Sequence, residues 1–103
     1  MINLIEEKKE AIKELCIRFN VRRLEIFGSA AAGAKFDDQQ SDIDFLVEFA
    51  PLKTGEYADT YFGLLEALEN LFSRHIDLVM PRAIKNPYFL KSINQNRKVL
   101  YAA

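Results

Sequence analysis

The sequence predicts an α/β protein built on a small mixed sheet with helices packed on one face. Three observations carry that prediction. Apolar residues recur alternately at helical spacing and at a spacing of two, giving the order αβαβαβαβ. Glycine, asparagine and proline stand at the joins between these stretches. The chain has 103 residues, half of them apolar and 28% charged, which is the size and balance of one compact domain spanning 1–103 with its own core.

Each element follows in turn. Over residues 4–19, Ile5, Ile12, Leu15, Cys16 and Phe19 form one helical stripe, with Glu6, Glu7, Lys9, Glu10, Lys13 and Glu14 mostly opposite. Asn20 breaks that pattern. Residues 22–27 then alternate charged and apolar side chains as a half-buried strand does, and Gly28 ends it. Ser29 is placed to cap a short helical turn over 29–33, followed by a polar loop over 34–41. Residues 42–49 form a second strand, with Asp42, Asp44, Leu46 and Glu48 on one face and Ile43, Phe45, Val47 and Phe49 on the other. Helices must cover the second of those faces, which leaves the first free for chemistry. A turn over 51–55 leads into a long helix over 56–73, whose stripe is Tyr61, Leu64, Leu65, Leu68, Leu71 and Phe72. Residues 75–80 read as a third strand stopped by Pro81. Asn86 and Pro87 read as the cap and first turn of a helix over 87–95, and residues 98–101 as a short last strand.

Composition removes several classes of function. Fourteen Lys and Arg stand against fifteen Asp and Glu, for a net charge of −1, so the chain lacks the overall positive field that drives non-specific binding to nucleic acid. The lone Cys16 cannot form an internal disulfide, and the charged opening over 1–10 is unlike a secretion signal, so a reducing cytoplasm is the expected compartment. No apolar run approaches the roughly 20 residues of a membrane-spanning helix. There is neither a Gly-x-x-x-x-Gly-Lys run nor a Gly-x-Gly-x-x-Gly, which argues against a P-loop or a dinucleotide fold.

The chemistry concentrates in Phe27-Gly28-Ser29 and Ser41-Asp42-Ile43-Asp44. Side chains alternate along a strand, so Asp42 and Asp44 point the same way about 7 Å apart, and their oxygens can converge on a hard cation. Magnesium is the natural candidate, because it is commonly held by one or two carboxylates together with substrate phosphates. Asp77 lies among the apolar residues of the third strand, where a lone charge is costly without a purpose, and it joins the other two if the strands are adjacent with matched faces. There it can ligate metal or take a proton from an attacking hydroxyl. Gly28 allows close backbone approach, and Ser29 offers a hydroxyl and free N–H groups for the terminal phosphates of a nucleotide. An isolated Asp-x-Asp is more often a turn or cap before a strand; its combination with Gly-Ser and a third aspartate makes that the minority reading. His75, with no His or Cys partner at metal-binding spacing, reads as a polar strand-end residue, and Cys16 as a small core residue.

Taken together, these residues resemble the minimal nucleotidyltransferases of the DNA polymerase beta superfamily, whose signature is Gly-Ser, a linker and Asp-x-Asp with a hydrophobic tail. The resemblance covers nearly the whole chain, since the elements follow in family order. It implies the polymerase beta-like fold, magnesium on Asp42, Asp44 and Asp77, the triphosphate of ATP on Gly28 and Ser29, and transfer of a nucleoside monophosphate with release of pyrophosphate. Two departures stand out. Ala30, Ala31 and Ala32 replace the arginines that commonly follow the Gly-Ser pair, and the linker is roughly two residues longer than usual. Lys35, Arg82 and Lys85 are the cations available to supply the lost charge. Small stand-alone members of this family resemble antitoxins that join a helical HEPN-domain toxin in a hetero-oligomer and silence it by moving AMP to its tyrosine. The expected function is therefore AMP transfer to such a partner. The alternative is a catalytically weakened binding module that occludes the partner through exposed groups near Tyr57, Phe62 or Phe89. Transfer to a small molecule or RNA is less expected, because enzymes of that kind usually carry extra domains.

Overall fold

The computed structural model describes residues 3–28, 31 and 42–103. Two helices, α1 (Asn3–Glu7) and α2 (Lys9–Arg18), precede β1 (Val21–Phe27) and β2 (Ile43–Phe49). A long helix α3 (Tyr57–Phe72), β3 (Ile76–Val79), a 3₁₀ turn (Pro81–Ala83), α4 (Pro87–Gln95) and β4 (Lys98–Ala102) complete the order. The four strands form one mixed sheet in the order β3-β2-β1-β4, with β1 antiparallel to β2 and β4, and β2 parallel to β3.

The first helix is not continuous as its pattern predicts. Lys8 leaves helical geometry (φ −105, ψ 15), and its N–H bonds back only three residues, to the Ile5 carbonyl at 3.2 Å. The kink still leaves Ile5 and Ile12 in the core. Asn20 ends this region in the left-handed conformation, φ 57, which asparagine tolerates better than most side chains. At α4 the signal acts as expected: Asn86 Oδ1 accepts from the N–H groups of Tyr88 (2.9 Å) and Phe89 (3.4 Å), with Pro87 at the first helical position.

Register sorts the two sheet faces. Leu24, Ile26, Ile43, Phe45, Val47, Ile76 and Leu78 pack against Ile5, Ile12 and Cys16 from the first helices and Leu64, Leu68 and Phe72 from α3. Ala31 is also part of this core; it is helical and fully buried, while the rest of the turn expected over 29–33 lies outside the described residues. Gly63 lets α3 approach α2 closely, since a Cβ there would stand 2.7 Å from the Phe19 ring. The opposite face carries a smaller cluster in which Ile93 of α4 covers Phe27 and Leu46, beside Val79 and Ile84. The predicted free face is thereby narrowed to its aspartate end.

On that same face Glu25 is buried, and the guanidinium of Arg97 donates to both of its carboxylate oxygens, Nε to Oε1 at 3.1 Å and Nη2 to Oε2 at 2.6 Å. Arg97 also donates to Asn94 Oδ1 at 2.7 Å, tying the end of α4 to β1. The Arg97 contact holds the Glu25 carboxyl below the ordinary carboxylate range, although burial opposes it.

Candidate active site

The site arises from the pairing of β2 and β3. Ile43 stands opposite Ile76 and Asp44 opposite Asp77. Parallel strands in register, spaced about 4.8 Å, put equivalent residues on the same face, so Asp44 and Asp77 are neighbours. The residues two positions earlier, Asp42 and His75, are neighbours for the same reason. The Ile43 N–H donates to the His75 carbonyl at 3.4 Å, which extends the pairing past the start of β3. The adjacency on which Asp77 depended is therefore present.

Four side chains make a square on this face. His75 Nδ1 lies 3.2 Å from Asp42 Oδ2. One donor atom from each of Asp42, His75 and Asp77 falls within 4.8 Å of the others, and all three residues are exposed. Asp44 is partly buried and in hydrogen-bonding contact with Asp77. Burial first, and then the Asp77 and Asp42 carboxylates, push the Asp44 carboxyl up to about 7, while His75 draws it down. Crowded carboxylates of this kind are relieved by a shared proton or by a cation. The carboxylate oxygens of Asp42, Asp44 and Asp77 suit a magnesium ion that keeps some of its water.

Gly28 completes the rim. Its φ of +73 lies in the left-handed region, and a Cβ at this position would stand 2.6 Å from Asp44 Oδ2. A side chain here would thus push the Asp44 carboxylate aside, and the left-handed turn itself favours glycine. Ser29 and Lys35 lie outside the described residues. Arg82 lines a cavity of about 210 Å³ with Arg22, Glu48 and Tyr57 at the opposite end of β2, and the structure does not bring it to the aspartates. Lys85 is exposed between the 3₁₀ turn and α4. Glu48 pairs with Arg22 at 3.2 Å, as suits a surface position at the far end of the strand. Cys16 is buried, and that burial pushes its thiol up to about 12, which agrees with a core role.

Two residues beside the site were not picked out from the sequence for these roles. Tyr61 donates its hydroxyl to the Leu78 carbonyl at 2.6 Å, fastening β3 to α3 next to Asp77. His75 joins the carboxylates, and the sequence carries a signal for it: His75-Ile76-Asp77 repeats the spacing of Asp42-Ile43-Asp44.

The family model described as nucleotidyltransferase domain matches residues 8–100, almost the whole chain. This protein belongs to the nucleotidyltransferase domain family. It is 37% identical over 94 residues to a Methanocaldococcus jannaschii protein named as a protein adenylyltransferase, covering 91% of this chain and 88% of that relative. A solved structure described as a minimal nucleotidyltransferase superposes with a TM-score of 0.69 at 30% identity, covering 91% of this nucleotidyltransferase and 90% of that chain. A chain in the structure of a tri-AMPylated Shewanella oneidensis HEPN toxin in complex with MNT antitoxin shares the fold, with a TM-score of 0.63 at 18% identity over 95% of this chain and 72% of that one. No helix among the described residues is long and apolar enough to cross a membrane.

Proposed function

We propose that this nucleotidyltransferase moves AMP from ATP onto a tyrosine hydroxyl of a HEPN-domain protein and so acts as the antitoxin of a two-protein pair in the cytoplasm. The observation that carries the reading is the in-register pairing of Asp42-Ile43-Asp44 with Asp77 on one open face, against the Gly28 turn. The protein acceptor is supported by the name of the M. jannaschii relative. The HEPN partner is supported by the AMPylated complex that shares this fold.

In this mechanism Asp42 and Asp44 would hold magnesium, with Asp77 as a further ligand, and the chemistry supplied there would be neutralisation of charge on the triphosphate oxygens. Gly28 and Ser29 are the residues assigned to the phosphates, by the capacity of a Gly-Ser pair to offer backbone N–H groups and a hydroxyl. Asp77, on the exposed side of the pair, takes the proton from the acceptor hydroxyl. The acceptor oxygen forms a bond to the α-phosphorus as the bond to the pyrophosphate oxygen breaks, and pyrophosphate leaves with the electron pair. Among the described residues α4 covers this face around Phe27 and Leu46, while Asp42 and Asp77 remain exposed to an acceptor.

The test is incubation of wild-type and Asp44→Asn protein with magnesium and α-phosphate-labelled ATP in lysate of the native host. Label on a HEPN-domain protein that depends on Asp44 is the expected result. A stable complex with no label from any of the four nucleotides would replace transfer by steric occlusion.

A further inference from the structure

His75 is the feature of this face that the mechanism above does not use. It stands beside Asp42 across the β2–β3 pairing and on the same side as Asp77, two residues further along. Its Nδ1 approaches Asp42 Oδ2 to 3.2 Å, and it offers a donor atom within 4.8 Å of donor atoms from both Asp42 and Asp77. The imidazole is exposed, with 60% of the side chain open to solvent, so the ring stands where an ion with retained water can reach it.

We infer that His75 ligates the same divalent cation as Asp42 and Asp77, so that this site prefers a first-row transition ion such as manganese over magnesium. The inference rests on the reading of the aspartates as the cation site. The reasoning is one of donor chemistry. Carboxylates alone suit magnesium, calcium and manganese, whereas imidazole nitrogen favours transition ions and adds little for magnesium, which prefers oxygen. An imidazole added to the carboxylates of Asp42, Asp44 and Asp77 therefore makes a mixed set that separates the two kinds of ion. The 3.2 Å approach of His75 Nδ1 to Asp42 also places the ring close to the donors before any ion arrives, which lowers the cost of organising the site.

The inference can be tested without activity. Manganese is titrated into nucleotide-free wild type, His75→Ala and Asp77→Asn, and the free-ion signal is followed by electron paramagnetic resonance; magnesium affinity is obtained by competition. In His75→Ala, manganese binding is expected to weaken by roughly tenfold or more, since loss of even an indirect partner of a metal ligand commonly costs that much. Magnesium affinity is expected to change by less than about twofold, so the preference for manganese collapses. In Asp77→Asn both ions are expected to bind more weakly. If His75→Ala leaves the ratio of the two affinities unchanged while Asp77→Asn weakens both, the aspartate site stands and the role of His75 is overturned. If Asp77→Asn alters neither affinity, the aspartate reading falls and the inference falls with it. His75 is a surface side chain outside both apolar clusters, so its removal leaves the fold intact.

Discussion

Strand β2 has two faces with opposite duties. Ile43, Phe45, Val47 and Phe49 sit at the centre of the apolar core, while Asp44, with Asp42 just before the strand, stands on the other side beside His75 and Asp77. One seven-residue strand thus anchors the fold with one set of side chains and presents the chemistry with the alternate set. The apolar face is enclosed by three helices and two neighbouring strands. The aspartate end of the other face is set by a few specific contacts: strand register, the Gly28 turn and the Tyr61 hydroxyl. Stability and activity therefore separate along this strand, residue by residue.

The sharpest way to break that separation is to mutate adjacent residues. Phe45→Ala opens a cavity under three helices and is expected to cost about 3–5 kcal/mol in urea denaturation, enough to leave much of the chain unfolded. Asp44→Asn is expected to reduce AMP transfer by about 10³-fold or more while stability stays within about 1 kcal/mol, because it removes a crowded carboxylate and no packing. If Asp44→Asn unfolds the protein as Phe45→Ala does, the two faces are not independent.

Arg97→Ala probes the buried charge that shares the aspartate face. It strips Glu25 of its two-point partner, leaving Arg23 at 3.5 Å, and is expected to cost about 2–3 kcal/mol near neutral pH. Because the folded protein holds Glu25 below its ordinary value, its contribution is fully present above the unfolded-state value and disappears as pH falls through the lower, folded value. Thermal melts of wild type from neutral to strongly acidic pH should show that loss, and Arg97→Ala should flatten it.

Gly28→Ala is expected to cost about 1–2 kcal/mol from the left-handed backbone alone and to reduce transfer more than stability suggests, since its methyl displaces Asp44 Oδ2. A urea titration alongside the transfer assay separates the two effects. Smallest of all, Tyr61→Phe removes the bond to the Leu78 carbonyl and is expected to cost about 1 kcal/mol by the same titration.

Much of this was legible in the sequence because it depends on local pattern. Period-two alternation placed Asp42 and Asp44 together, and Asn86-Pro87 marked the start of α4. What was not legible depends on distant pairing. Glu25 looks like an exposed strand residue until Arg97, 72 positions away, reaches it. His75 had no partner in its own segment, and it acquires one only when β3 docks parallel to β2. The break at Lys8 likewise interrupts a stripe that reads as continuous, because Ile5 and Ile12 remain buried on both sides of it.

In the proposed reaction Asp42, Asp44 and Asp77 serve the transfer of AMP to a partner protein. The most direct measurement gives purified protein, magnesium and a HEPN-domain partner from the same host either α-phosphate- or γ-phosphate-labelled ATP, with the partner's tyrosines read by mass spectrometry. The account predicts label from the α position only, attached to tyrosine, and absent with Asp44→Asn. Label from the γ position, or α label that persists in Asp44→Asn, would contradict it.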